Sequence, residues 1–524
     1  MKIVDATAGG ASDRKAVESS IGPLPQGASS LSELILLALI TALAAAVRFH
    51  SLAAKSFWFD EGASVAIARL DWYNFARILW RREANMSLYY FLLHFWLHFG
   101  GSEFFVRSLS VLFSVASIPI IYLLGRRLFD SRVGLIAAAL LTVNAYHVQY
   151  SQDARSYSLM VFLCLLSSLY FLKCLDEPPR NNRVAYIVSS VLAVYAQFFS
   201  LLLVMAHWFS LKMLDREIPR QIKNAWRWIA LLAAPVFIFV ATTGTGPLRW
   251  VQRPSFKDLW VFALHLTGNG GPWLLLACVA SGVAALLSVG RTWKLRRVPW
   301  DAWRYRFLLS WLVFPILLTV ALSLVKPLFV PRYFIFCLPA LLLLVACGIA
   351  KLRPAPMAIA VLLICIPSFK GTMGYYKQDV DIERDDWRAA TQYLLNHTQS
   401  GDALLFHVPM GRMPYEFYHS LEPTSAAPIV LYPQHEDRIT FLDFVEKPDD
   451  LRLERLLPQH PRAWLVLTYA ETPVGLPDAR SSELNNLLGK FYPIVEQRDF
   501  PGIEILLYSK SDFAAELSPQ GSTY

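Results

Sequence analysis

The sequence is poor in charge. Only 17% of its 524 residues are Asp, Glu, Lys or Arg, against about 25% in an average soluble domain. Hydrophobic residues make up 55% and the mean hydropathy is +0.39, which excludes a soluble enzyme, a disordered scaffold and a fibrous protein. Cysteine is scarce: Cys164, Cys174, Cys278, Cys337, Cys347 and Cys365 all lie in or beside apolar stretches. No Cys-x-x-Cys or Cys/His pairing occurs, so neither thiolate zinc nor a disulfide framework is expected. The polar C-terminal region has no glycine-rich phosphate loop, no metal-spaced His cluster and no nucleophile elbow.

What is present is a series of apolar runs. A membrane span takes about 20 mostly apolar residues. Candidates lie near 31–52, 103–125, 132–149, 156–174, 184–198, 199–214, 227–244, 271–290, 306–325, 333–350 and 355–370. The expectation is a polytopic α-helical membrane protein with about eleven spans. With residues 1–30 as a cytoplasmic tail, the inner loops collect the basic residues, among them Arg126, Arg127, Arg132, Lys212, Arg216, Arg291, Arg296, Lys351 and Arg353. This positive-inside bias accounts for the net charge of +9 without nucleic acid. It puts residues 376–524 outside, and the localisation expected is a bacterial inner membrane with that region periplasmic.

The first outer loop, 53–102, is long and aromatic, and long ordered loops are more often functional than structureless. Met86–Gly100 is too short to span and reads as an interfacial helix, as does 62–80. Residues 31–375 would form the membrane domain. In 376–524, Asp385–Asn396 reads as a capped helix. Short apolar runs at Ala403–Phe406, Pro428–Leu431, Ala463–Leu467 and Ile503–Tyr508 alternate with helical patterns near 448–456 and 481–491. That pattern predicts a small α/β domain.

Four sets of residues could carry chemistry, all on the predicted outer face. Asp60 and Glu61 follow three aromatics in Ser56–Gly62. A carboxylate with thin hydration takes up a proton more readily than a solvated one, which suits a general base; the alternative is a solvated acidic pair. Asp153 and Arg155 lie in the short outer link Gln149–Tyr157, as site residues or as an interfacial salt bridge. Lys326, Arg332 and Tyr333 lie in Lys326–Tyr333, where a guanidinium suits a phosphate or snorkels toward headgroups. Glu83 and His265 are the pair that could share a divalent metal.

Taken together, these pieces resemble the bacterial GT-C glycosyltransferases, in the branch related to protein O-mannosyltransferases and the lipid A aminoarabinose transferase. The matching segments are Asp60-Glu61, the helix beginning Leu88-Tyr-Tyr-Phe-Leu-Leu-His, the Gly125–Phe129 turn, Ser151–Tyr157 (SQDARSY), Arg332-Tyr333 and Asp386–Leu395, within roughly residues 33–410. The resemblance implies a polyprenyl-phosphate-linked sugar as donor and inverting transfer on the outer face. The acceptor would be an envelope glycan, a glycolipid or a protein. It implies Asp60 as catalytic acid-base residue, Asp153 as the second acid, and Glu61 or Asp153 orienting a sugar. Arg332, Tyr333, Lys326 and Arg155 would meet the donor phosphate. Glu83 and His265 match metal-side positions. Relatives often read His-Pro-Pro or Lys-Pro-Pro where this chain reads Glu83-Ala-Asn-Met-Ser; Asn85, with Tyr157, is then a candidate for orienting substrate. A transporter or flippase of a lipid-linked saccharide is the alternative, but no internal repeat is evident.

Overall fold

In lipid every backbone polar group must be satisfied within the protein, so apolar spanning segments fold as helices. The computed structural model describes residues 30–175, 180–212, 218–244, 251–287, 300–378, 385–422, 428–434, 449–469 and 478–510. Most of the expected tail and the basic residues Arg216, Arg291 and Arg296 lie outside the described residues. Seven described helices are long and apolar enough to cross a membrane: Leu31–Phe49, Glu103–Leu128, Tyr157–Leu175, Arg220–Thr243, Asp301–Ser323, Pro331–Ile349 and Pro354–Lys377. Two bent pairs bring the number to nine if each is one span: Ser131–Val143 with Ala145–Ser151, bent by 61°, and Phe256–Thr267 with Pro272–Leu287, bent by 74°. The remaining two expected spans coincide with the 17-residue helix Arg180–Ala196 and the shorter apolar helix Phe198–Lys212.

The chain divides into two units. The first consists of the described residues up to His50, Ser110–Gln152 and Ser156–Gly374. Its helices approach closely at small residues. A Cβ on Gly348 would lie 1.9 Å from the Ser281 carbonyl oxygen, and one on Gly125 would lie 2.8 Å from the Gly134 Cα. Glycine at both contacts lets helix backbones meet.

Arg48 is fully buried in this unit. Its guanidinium donates to the carbonyls of Ala44, Leu141 and Thr142 and to Ser114 Oγ (2.6 Å), and lies 2.9 Å from His147 Nδ1. Leu141 and Thr142 end the Ser131–Val143 helix, whose last carbonyls have no intrahelical partner. Asn144 then caps the next helix by accepting from His147 N–H. The bend is therefore held by an arginine at a helix C-terminus, where a cation is favoured. Removing it would leave buried carbonyls unsatisfied, at about 1–3 kcal/mol each. Arg48→Ala should lower the melting temperature of the detergent-purified protein by several degrees, and Arg48→Lys should recover part of the loss. An unchanged melting temperature would contradict this role.

The second unit joins Ser51–Leu109 and Asp153–Arg155 to the residues from Tyr375 onward. Its sheet has the order β2-β1-β3-β5-β4, with β1 Ala403–His407, β2 Ile429–Tyr432, β3 Arg462–Thr468, β4 Ile494–Phe500 and β5 Ile503–Ser509. Strands β2, β1 and β3 run parallel; β5 is antiparallel to β3, and β4 to β5. Every residue of β1 and β3 is buried, as expected for parallel strands covered on both faces. This is the expected small α/β domain, with β4 added. Edge strand β4 is mostly exposed and carries Glu496, Arg498 and Asp499, charges that discourage further strand pairing. The first-loop residues contribute the helices Phe59–Arg69, Trp72–Arg81 and Ser87–Trp96.

Candidate functional site

Asp60 and Glu61 open the helix Phe59–Arg69, in its first turn, where carboxylates are favoured by the helix dipole. Although adjacent, they face different surroundings. Glu61 is wholly buried. Arg107 grips it with two parallel bonds, Nε to Oε1 at 2.8 Å and Nη2 to Oε2 at 2.7 Å. The Ala154 N–H donates to Oε1 at 2.8 Å, and the Trp58 N–H reaches Oε2 at 3.4 Å. Arg107 also donates to the carbonyls of Leu52, Lys55 and Ser56. One buried ion pair thus joins the segment entering the helix, the helix itself and the 153–155 link. Removing one partner of such a pair costs about 3–5 kcal/mol.

The Asp60 side chain retains 21% of its exposure, with Oδ2 3.8 Å from Arg155 Nη2. Arg155 Nη1 donates to the Asp60 carbonyl (3.3 Å), Ser64 Oγ (3.2 Å) and Tyr90 OH (3.1 Å). Tyr90 in turn donates to Glu83 Oε2 at 3.2 Å. The Glu83 carboxyl is held above the usual carboxylate range, first by burial and also by the charge of Asp60; Arg155 and Tyr90 oppose the rise. Asp153 is buried, and its carbonyl accepts from Arg155 N–H at 2.7 Å. Asn85 lies in the single turn Ala84–Met86 between Glu83 and the Tyr90 helix. The structure therefore brings Asp60, Glu61, Glu83, Asn85, Asp153 and Arg155 into one unit.

The C-terminal residues hold the same entering segment. Arg388 donates to the carbonyls of Ala53, Ala54 and Lys55 and to Glu103, while its N–H donates to Ser56 Oγ. Tyr418 OH accepts from Phe57 N–H at 2.6 Å and donates to Glu103. Phe57 stacks on Phe417 with centroids 4.4 Å apart. Arg107, Arg388 and Tyr418 were not singled out in the sequence. For Arg107 a signal existed, since a charge inside an apolar run calls for a partner.

The remaining candidates lie in the other unit. Tyr157 is buried and edge-on to Tyr150 (4.9 Å), Tyr150 to Tyr146 (5.0 Å), and Tyr146 stacks on His265 (5.7 Å). Arg332 and Tyr333 open the turn Pro331–Cys337. The guanidinium lies 5.9 Å from the Tyr333 ring, which packs on Phe199. Lys326 is exposed. Glu83 and His265 thus belong to different units, and among the described residues no three His, Cys, Asp or Glu side chains gather as metal ligands.

Comparison with known proteins agrees with the fold. Residues 86–243 match the family model described as dolichyl-phosphate-mannose-protein mannosyltransferase. No curated protein sequence matches the chain. ArnT from Cupriavidus metallidurans in its apo state is similar with a TM-score of 0.62 at 12% identity, over 93% of this chain and all of that one. Its structure bound to undecaprenyl phosphate is similar at the same score and identity, over 91% of this chain and 98% of that one.

Asp385 supplies a test of the second unit's electrostatics. Burial pushes its carboxyl up to about 6; Trp387 Nε1, donating to Oδ2, opposes the shift, and the charge of Asp60 adds to it. With a folded value above the unfolded one, its contribution to stability is full below about pH 4 and is lost as the pH rises through 6. Asp385→Asn should therefore flatten the stability profile between about pH 4 and 6, read by thermal unfolding across that range. An unchanged profile would show that Asp385 does not titrate there. The chain shares the fold of ArnT, and residues 86–243 match the family model of the dolichyl-phosphate-mannose-protein mannosyltransferases.

Proposed function

We propose that the chain is an inverting glycosyltransferase of a cell membrane, moving a sugar from a polyprenyl-phosphate donor to an envelope glycan, lipid or protein on the outer face. The observation that carries the reading is the contrast between the adjacent acids. Glu61 is buried and bound by Arg107 and Ala154, whereas the Asp60 side chain keeps about a fifth of its exposure beside Arg155. A general base must reach the proton that it removes, and Asp60 meets that condition. The family match over residues 86–243 and the ArnT structure bound to undecaprenyl phosphate support a polyprenyl-phosphate donor.

In this reading the acceptor oxygen attacks the anomeric carbon while its proton passes to Asp60. The bond from that carbon to the phosphate oxygen breaks, and the electron pair leaves with the lipid phosphate. Arg332, with Tyr333 and Lys326, meets the negative charge that builds there, the kind of stabilisation that fixed cations supply. Asp153, Asn85 and Tyr157 orient the sugars. Two roles differ from those suggested by the sequence. Glu61 positions the helix start and the 153–155 link instead of touching a sugar, because its oxygens are occupied by Arg107 and by backbone N–H groups. Arg155 positions Asp60 and Tyr90 instead of binding phosphate, because its guanidinium is buried among them.

The assignment separates neighbouring variants. Glu61→Gln should lower both melting temperature and turnover, since it weakens the Arg107 grip. Asp60→Asn should abolish sugar transfer at an unchanged melting temperature. Equal behaviour of the two variants in paired thermal and radiolabelled-donor transfer assays would contradict the split. Arg332→Ala should impair donor kcat/KM and leave acceptor KM unchanged; an unaltered donor kcat/KM would remove its phosphate role.

A further inference from the structure

In the parallel part of the sheet the chain leaves β1 for β2 on one side and later returns to β3 on the other. That is a topological switch point. In open α/β sheets the crevice beyond the carboxyl ends of the two diverging strands is where ligands bind. Here those ends are His407 and Thr468-Tyr469. The Thr468 hydroxyl ties them together, donating to the His407 carbonyl (3.0 Å) and accepting from Val408 N–H (3.0 Å).

Tyr469 leaves β3 with φ +52°, in the left-handed region. An aromatic residue adopts that backbone rarely, and such outliers cluster at ligand sites. The side chain is 55% exposed. Its ring stands edge-on to Phe59, centroids 6.5 Å apart, and Phe59 is the residue before Asp60. On the same edge Asp478 keeps about a third of its side-chain exposure, and its Oδ2 lies 3.3 Å from Nε2 of the buried His407. The helix that carries Asp60 packs beside this edge. A Cβ on Gly62 would lie 2.8 Å from Pro414, and Ala63 packs on Met413. A half-exposed aromatic residue, a partly exposed carboxylate backed by a buried imidazole, and the turn bearing Asp60 therefore share one rim.

A saccharide ring offers what such a rim recognises: an apolar C–H face for an aromatic ring and hydroxyls for the Asp478 carboxylate. An extended peptide is less well served, because β1 and β3 are interior strands already paired on both sides and offer no free strand edge for it to extend. We propose that the switch-point crevice is the acceptor subsite and takes a saccharide ring, stacked on Tyr469 with its attacking hydroxyl turned toward Asp60. The acceptor class is then the sugar of a glycan or glycolipid. This rests on the transferase reading for the word acceptor, while the binding itself does not.

The test is saturation-transfer NMR on the full chain in lipid nanodiscs. The probes are a panel of methyl hexopyranosides and, separately, a Ser/Thr-rich peptide. Saturation should pass to the sugar ring protons in the unsubstituted protein, be lost in Tyr469→Ala and be retained in Tyr469→Trp. Absence of transfer to any glycoside, equal transfer in Tyr469→Ala, or transfer to the peptide alone would each overturn the proposal. Tyr469-dependent glycoside binding in a protein that transfers no sugar from a polyprenyl-phosphate donor would reject the transferase reading and keep the saccharide site. Transfer activity without Tyr469-dependent binding would reject the crevice and keep the transferase.

Discussion

The bidentate pair between Arg107 and Glu61 is the constraint on which the candidate site depends. Taking two charges out of water costs several kcal/mol per ion. The cost is offset only because the remaining groups are satisfied as well: Arg107 also meets three carbonyls, and Glu61 also meets two N–H groups. Those extra bonds fall on the segment 52–56, on the helix start and on Ala154. Residues 52–61, Arg107 and Ala154, three pieces of chain far apart in sequence, are thereby held in register around Asp60.

The C-terminal residues extend the same logic. Arg388 and Tyr418 bind the Ala53 and Ala54 carbonyls and the Phe57 N–H, and Arg388 shares the Lys55 carbonyl with Arg107. The segment leading to Asp60 is held by two arginines. A domain that could pass for an appended lid is therefore part of the support for the first-loop helix. The buried pair Arg462–Asp402, at 2.6 Å, and the bond from Trp464 to Asp402 stiffen that support from within the sheet.

Much of this was legible in the sequence. Apolar runs read as spans because hydropathy over 20 residues is a property of the run, not of its partners. Strands β1, β3 and β5 read clearly because they are continuously apolar; β4 did not, since an edge strand exposed on both faces has no apolar alternation to detect. The bends at Asn144 and at Gly268–Gly271 escaped notice because each half is apolar and only the break shows. By residue type alone Asp60 and Glu61 were indistinguishable, and only the family resemblance gave them different roles. Only burial, which depends on Arg107 from another segment, separates a positioning acid from an accessible one. Arg48 was hidden for the same reason, since a span-end arginine looks alike whether it snorkels or caps a helix.

The central claim is that Asp60 takes a proton from a glycan-type acceptor during sugar transfer. It is tested most directly by the lipid and glycan mass profile of the source cells carrying Asp60→Asn at normal protein level. The account predicts that one envelope glycan or glycolipid loses a sugar-sized mass while a polyprenyl-phosphate-sugar accumulates. Unchanged masses across the envelope, with the variant protein present in the membrane, would contradict it.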